Sequence, residues 1–193
     1  MDVKIDVALV HFPVVNRIGE IIGSAVTNLD LHDIARAGKT YGVGSYWVIT
    51  PFKEQQQLAA QIIGHWTDGH GASVNPDRRS ALSIIRLCGS VDDALEQATA
   101  AYGTRPFVLA TCAKKQANTC SYAAVREMIR REVPILLLFG TAWGLSPDIM
   151  EMVDGVLPPL SGPTEFNHLS VRSAASIILD RLLGRPDHWE EEQ

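Results

Sequence analysis

Short apolar runs alternate along the chain with stretches of helical period. Residues 3–10 (VKIDVALV) read as a strand that turns out at His11-Phe12-Pro13. Residues 46–50 (YWVIT), 81–87 and 106–110 (PFVLA) read the same way. Residues 135–139 (ILLLF) are uninterrupted apolar, as a strand buried on both faces requires. Val156-Leu157 is a shorter piece, stopped by Pro158-Pro159. Between these runs lie helices. One starts with Thr27, Asn28 or Asp30 as cap, turns Leu31, Ile34 and Ala35 to one face, and ends at Gly42 and Gly44. Residues 54–66 align Leu58, Ile62 and Trp66. Ser90 caps residues 91–102, with Asp92 and Asp93 in the first turn. Residues 121–132 form another helix. The last opens at Asn167-His168-Leu169-Ser170 and shares Val171, Ala174, Ala175, Ile178 and Leu182 along one face. Gly184 and Pro186 close it. Residues 68–79 (DGHGASVNPDRR) read as the longest exposed loop, and 17–20 as a shorter one.

This alternation predicts an α/β fold, a mostly parallel sheet with helices on both faces. At 193 residues the chain is long enough for one domain with a sizeable core, expected over residues 1–185, followed by an acidic tail over 186–193. No apolar run is long enough to span a bilayer, and the N-terminus lacks the basic-then-apolar layout of a signal peptide. Three cysteines, Cys88, Cys112 and Cys120, without a CxxC pair, point to reduced thiols and a cytoplasmic location. A net charge of −5 argues against non-specific nucleic-acid binding and requires any RNA contact to concentrate positive charge locally. Arg36 and Lys39, one helical turn apart, and Arg78 and Arg79 in the exposed loop are the basic positions expected to do so.

The candidate chemistry is narrow. His32-Asp33, His65 and His70 lack further ligands at matched spacing, and HExxH and CxxC are absent, so no metal is expected. Thr111-Cys112-Ala113 follows a strand, but there is no GxSxG elbow and no identifiable base. Residues 139–146 (FGTAWGLS) lack the lysine of a Walker loop and the full GxGxxG. Gly140 and Gly144 let the backbone turn sharply and approach a ligand closely, so a nucleoside there would be held by backbone and shape. Loops at the carboxyl ends of strands are where open α/β sheets hold ligands.

Four stretches, in order, resemble the SPOUT (trefoil-knotted) RNA methyltransferases. Residues 27–43 (TNLDLHDIARAGKTYGV) resemble the family's first motif, an Ile-Ala-Arg core ending in aromatic-Gly-Val. Residues 138–145 (LFGTAWGL) resemble the second. Leu157-Pro158 followed by residues 167–174 (NHLSVRSA) resembles the third, and residues 110–115 (ATCAKK) its strand-end Ala-Thr-Thr-Ala-Arg. The whole chain is similar to a stand-alone bacterial group of this family.

The resemblance implies a C-terminal deep trefoil knot, a feature that general folding rules would never propose. It implies S-adenosylmethionine (AdoMet) as cofactor, lined by Gly140, Thr141 and Gly144, with Leu157 offering backbone groups to adenine. Asn167, His168, Leu169 and Ser170 would close the site, with Thr111 at its edge. It implies a homodimer, with Arg36 as the catalytic residue contributed across the interface and the Ala174–Ala175 face suited to close packing there. The expected function is methylation of tRNA or rRNA on a ribose 2′-oxygen or a base. The alternative is an AdoMet-binding, RNA-contacting dimer without turnover. Three positions depart from the family pattern. Asp30 stands where Asn is common, Thr141-Ala142-Trp143 lacks an acidic residue, and His168 stands where Asn is usual.

Overall fold

The computed structural model describes residues 3–185. The expected helix stop at Pro186 and the acidic tail of residues 186–193 lie outside the described residues. Strand β1 (Ile5–Val10) is followed by a small antiparallel hairpin, β2 (Val14–Val15) and β3 (Ile21–Ile22), and by helix α1 (Asn28–Thr40). The chain continues as β4 (Tyr46–Ile49), α2 (Lys53–Thr67), α3 (His70–Val74) and α4 (Pro76–Leu82). β5 (Ile85–Cys88), α5 (Val91–Tyr102), β6 (Phe107–Ala110) and α6 (Tyr122–Arg130) follow. β7 (Ile135–Gly140), α7 (Pro147–Met152), β8 (Gly155–Val156) and α8 (Val171–Leu183) complete it.

Six strands form one sheet in the order β5-β4-β1-β7-β6-β8, and every pair in it is parallel. Each face carries its own apolar layer. Ile5, Val7 and Leu9 of β1 meet α1, α2, α4, α6 and α8 on one side, through residues such as Leu31, Ala59, Leu82, Val125 and Leu179. Ala8 and Val10 meet α5 and α7 on the other, through Val91, Ala94 and Ile149. The expected parallel sheet with helices on both faces is therefore present. Asp6 interrupts the apolar pattern of β1 for a reason. Its buried carboxylate accepts bonds from Ser45 N–H, Trp47 Nε1–H and Tyr102 O–H, each at 2.8 Å. These offset the burial that pushes its pKa up.

Four expectations need correction. Residues 68–79 are not a loop but fold largely into α3 and α4. Asn75 caps α4, accepting from Arg78 N–H at 3.0 Å, and Pro76 opens it at a position that needs no N–H. The strand expected from residue 81 begins at Ile85, because Ala81 and Leu82 finish α4 and bury their side chains there. In α2, Ile62 and Trp66 pack against the core as expected, but Leu58 is 50% exposed and the fully buried position is Ala59. Along α8, Ala175 and Ile178 pack into this chain's own core at 0% and 3% exposure. They cannot serve a partner subunit, and Ala174 is half-buried. The hairpin β2–β3 and helix α7 are additions that the apolar pattern did not signal; each hairpin strand is only 2 residues long.

Candidate active site

The strand register brings the expected residues to one edge of the sheet. Val10 lies opposite Gly140, Ala110 opposite Leu138, and Ala110 also opposite Val156. His11, Thr111, Thr141 and Leu157 therefore leave adjacent strands β1, β6, β7 and β8 side by side. The chain continues from β1 to β4 on one side and from β7 past β6 to β8 on the other, so the strand order reverses between these two neighbours. Such a switch point, outside the carboxyl ends of the strands, is the crevice where open α/β sheets take ligands.

The turn after β7 is closely built. Gly144 N–H donates to Thr141 O at 3.0 Å and closes it. The hairpin braces it from outside: Trp143 N–H donates to Val15 O, and Val15 N–H to Gly144 O, both at 3.0 Å. Ala142 at φ 51° and Gly144 at φ 116° sit in left-handed backbone. A Cβ at Gly140 would meet Leu145 N at 2.6 Å and Gly144 C at 2.9 Å, so glycine is required there by contact with backbone. A Cβ at Gly144 would meet nothing within 4 Å, so that glycine is required by its dihedral alone.

Thr111 donates its hydroxyl to Leu138 O at 3.1 Å, and Leu157 is 1% exposed with its N–H committed to Ala110 O at 2.8 Å. Among polar groups of Leu157, its carbonyl is the one left to offer. The segment 161–170 is exposed throughout. Asn167 ties it to the loop after β6 by donating Nδ2–H to Ala113 O at 3.1 Å, and His168 meets Phe166 edge-on. Leu169 is 46% exposed, and Ser170 caps α8 by accepting from Ser173 N–H at 3.2 Å. Strand β8 is flanked on both sides. On one side lies β6; on the other, Cys120 N–H donates to Val156 O at 2.8 Å and Val156 N–H to Asn118 O at 3.1 Å. Both flanks belong to the stretch of chain that leaves β6 and enters α6.

Arg36 is exposed on α1, and its guanidinium has no ion-pair partner among the described residues. A groove of about 750 Å³ between α1 and α8 is lined by Arg36, Ala37, Ser170, Ser173, Ser176 and Ile177. It joins the arginine to the end of the site loop. Asp30, the first departure from the family pattern, is buried and matched. Its carboxylate accepts from Thr27 Oγ1–H at 2.6 Å and from Arg172 at 2.9 Å, and Arg172 also reaches Asp33 at 3.4 Å. Lys39 and Arg79 are exposed. Arg78 is half-buried, with its guanidinium 4.5 Å from the centre of the Trp66 ring. His32 lies close enough to Arg78 and Arg36 for both charges, after burial, to hold its pKa below the ordinary value. The described residues contain no cluster of His, Cys, Asp and Glu able to hold a metal ion. No helix among them is long and apolar enough to cross a membrane.

Two residues at the crevice carried no local signal in the sequence, His11 and Ser24. His11 is fully buried, and its Nδ1 lies 2.9 Å from Ser24 Oγ. Burial lowers its pKa to about 4, against a smaller opposing pull from Asp30. The folded pKa is thus depressed below the unfolded value of 6.5. Above pH 6.5 neither state binds the proton; as pH falls towards 4 the unfolded chain binds one that the folded chain refuses. The expected result is a loss of about 3 kcal/mol of stability across that window, absent in His11→Asn. Urea denaturation of both proteins at intervals from pH 7 to pH 4 checks it; parallel pH profiles would refute it.

The sequence profile of a family described as SAM-dependent RNA methyltransferase matches residues 4–184. A tRNA (guanine-N(1)-)-methyltransferase of Oleidesulfovibrio alaskensis is 48% identical over 177 residues, 92% of this chain. The chain spans only 41% of that relative's length. An uncharacterized protein of Aquifex aeolicus is 37% identical over 180 residues, covering 93% of this chain and 88% of its own. Among solved structures, the SpoU methyltransferase AviRb of Streptomyces viridochromogenes, in complex with AdoMet, shares the fold with a TM-score of 0.57. It is 20% identical, and the match covers 95% of this chain and 58% of that one.

Proposed function

The chain belongs to the SAM-dependent RNA methyltransferase family, and on that premise we propose that the crevice at the ends of β1, β7, β6 and β8 binds AdoMet for methyl transfer to RNA. The observation that carries this reading is the Gly140 turn, where backbone packs so closely that no side chain fits beside the crevice. Gly140, Thr141 and Gly144 form one wall, the Leu157 carbonyl and Thr111 the floor, and Asn167, His168, Leu169 and Ser170 the rim. Bound AdoMet supplies a methyl group on a positively charged sulfonium, open to in-line displacement. The protein's share is to hold donor and acceptor in line and to exclude competing geometry, which accounts for much of the barrier reduction. Arg36 orients the RNA nucleophile or binds its neighbouring phosphate, and no carboxylate among the described residues pairs with its guanidinium. Lys39 and Arg79 extend the RNA surface. Arg78 is held by Trp66 and contributes to packing more than to RNA.

Two further features belong to the same proposal. The trefoil knot is supported by β8, which passes between β6 and residues 118–120 of a single connection before the chain returns to α8. The homodimer is supported by the groove between α1 and α8, whose lining mixes charged residues (Asp33, Arg36, Arg172), serines and the apolar Ala37 and Ile177, and brings Arg36 to a surface that a partner would complete. Ile177, 37% exposed, is the apolar residue there, in place of the Ala174–Ala175 face. Ile177→Asp is expected to convert a dimer to a monomer without unfolding it, as read by native mass spectrometry. A wild-type monomer at working concentration would refute the dimer.

The Oleidesulfovibrio relative's name points to tRNA as the first RNA to test. Incubation of the protein with methyl-tritiated AdoMet and separate pools of unmodified tRNA and rRNA, followed by digestion to nucleosides, tests the activity and identifies the acceptor. Label in one nucleoside is expected. AdoMet binding with no label in either pool would favour the non-catalytic dimer instead.

A further inference from the structure

The buried polar groups at the crevice form a chain of hydrogen bonds whose direction can be deduced. Thr141 Oγ1 lies 3.0 Å from the Val10 carbonyl, which can only accept. With the threonine proton committed there, the 2.5 Å contact between Ser24 Oγ and Thr141 Oγ1 is donated by Ser24. A Ser24 lone pair is then left for His11 Nδ1, so Nδ1 carries the ring proton. The reverse order would forfeit the Thr141–Val10 bond and bury a Nε2–H donor without an acceptor. The forward order leaves only a Nε2 lone pair unpartnered, the less costly orphan. Ser24 is held beside the ring by its own N–H, which donates to His11 O at 2.8 Å.

We infer that His11, neutral and protonated on Nδ1, is a positioning residue that acts through Ser24 and Thr141 to hold the turn of residues 140–144 in the shape that receives AdoMet. This inference rests on the cofactor reading above but assigns residues outside the expected site set. The turn needs such support at Ala142, a non-glycine residue in left-handed backbone, a conformation that persists only where the surroundings over-determine it. The hairpin braces the turn by backbone at Val15. The His11 chain braces it by side chains from within the sheet, at the residue that follows Gly140. Asp30 makes no hydrogen bond to the ring; its carboxylate accepts from Thr27 and Arg172.

The test is AdoMet titration of the full chain as wild type, His11→Phe, His11→Asn, Ser24→Ala and the His11→Phe/Ser24→Ala double variant, with a melting temperature for each. The dissociation constant is expected to rise about tenfold in His11→Phe and in Ser24→Ala, the loss of one buried bond. It is expected to return near wild type in His11→Asn, whose amide N–H can stand where Nδ1–H stood. The double variant is expected to be no worse than either single one, since one chain is cut twice. At saturating AdoMet the turnover of each stays within about twofold of wild type, as for a residue acting on cofactor binding alone. Nitrogen-15 spectra of the histidines, with the His11 signal identified by its loss in His11→Asn, are expected to show the proton on Nδ1. Lowered melting temperatures with unchanged AdoMet affinity would reduce the chain to a structural role and overturn the inference, as would additive losses or a proton on Nε2. If His11→Phe fails to fold, Ser24→Ala carries the same test. A wild type that does not bind AdoMet would overturn the cofactor reading together with this inference; wild-type binding with unaffected variants overturns this inference alone.

Discussion

Gly140→Ala is expected to weaken AdoMet binding by at least about tenfold while leaving the chain folded. A methyl group at residue 140 would stand 2.6 Å from Leu145 N and 2.9 Å from Gly144 C. Both are backbone atoms in a turn pinned by bonds to Val15 and Thr141, so the turn itself must open. The six-residue strand that carries Gly140 is paired on both sides by β1 and β6, which keeps the rest of the sheet in place. Gly144 gives a contrast. Its Cβ direction is empty, so Gly144→Val acts by forcing a branched residue into φ 116°, and it too should lose AdoMet. Calorimetric titration alongside a thermal melt separates lost binding from lost fold. Wild-type affinity in folded Gly140→Ala would mean that the turn is not the cofactor wall.

Arg36→Ala is expected to lower turnover about 10²- to 10³-fold, the scale for removing one positioned charged or hydrogen-bonding group from a reaction centre. Its AdoMet affinity should stay near wild type, because the residue lies on α1 at the groove rather than on the strand-end turn. Arg36→Lys should recover only part of the loss, since an ammonium lacks the planar fork. Single-turnover measurement of methyl transfer, with AdoMet affinity measured in parallel, reads both quantities. Undiminished transfer in Arg36→Ala would remove the residue from the reaction centre.

The parallel sheet was largely legible, though not its strand order, because parallel strands buried on both faces leave uninterrupted apolar runs, as at residues 135–139. The cap at Ser90 was legible and accepts from Asp93 N–H, and Thr27, one of three candidates for α1, accepts from Asp30 N–H. Ser121 and Ser170 also cap helices, accepting from Ala124 and Ser173 N–H, without having been singled out as caps. The segment 68–79 was misread because its glycines and asparagine are turn-formers; Asn75-Pro76 is a local helix start within it, whereas the packing of α4 on α1 is a tertiary fact. Leu58 misled because it lies at the edge of the stripe that Ala59, Ile62 and Trp66 turn to the core. On α8 the pattern located an apolar face but could not say which molecule covers it. Gly140, Thr141 and Thr111, residues of the proposed site, were legible as strand ends. The chain from His11 was not, because its bonds span 13 and 117 residues and no local spacing reports them.

Isothermal titration of AdoMet into the wild-type chain tests the central claim most directly. Saturable binding of one AdoMet per chain, lost in Gly140→Ala, is the predicted result. A titration without saturable heat for AdoMet or its demethylated product, on protein that melts cooperatively, would contradict it.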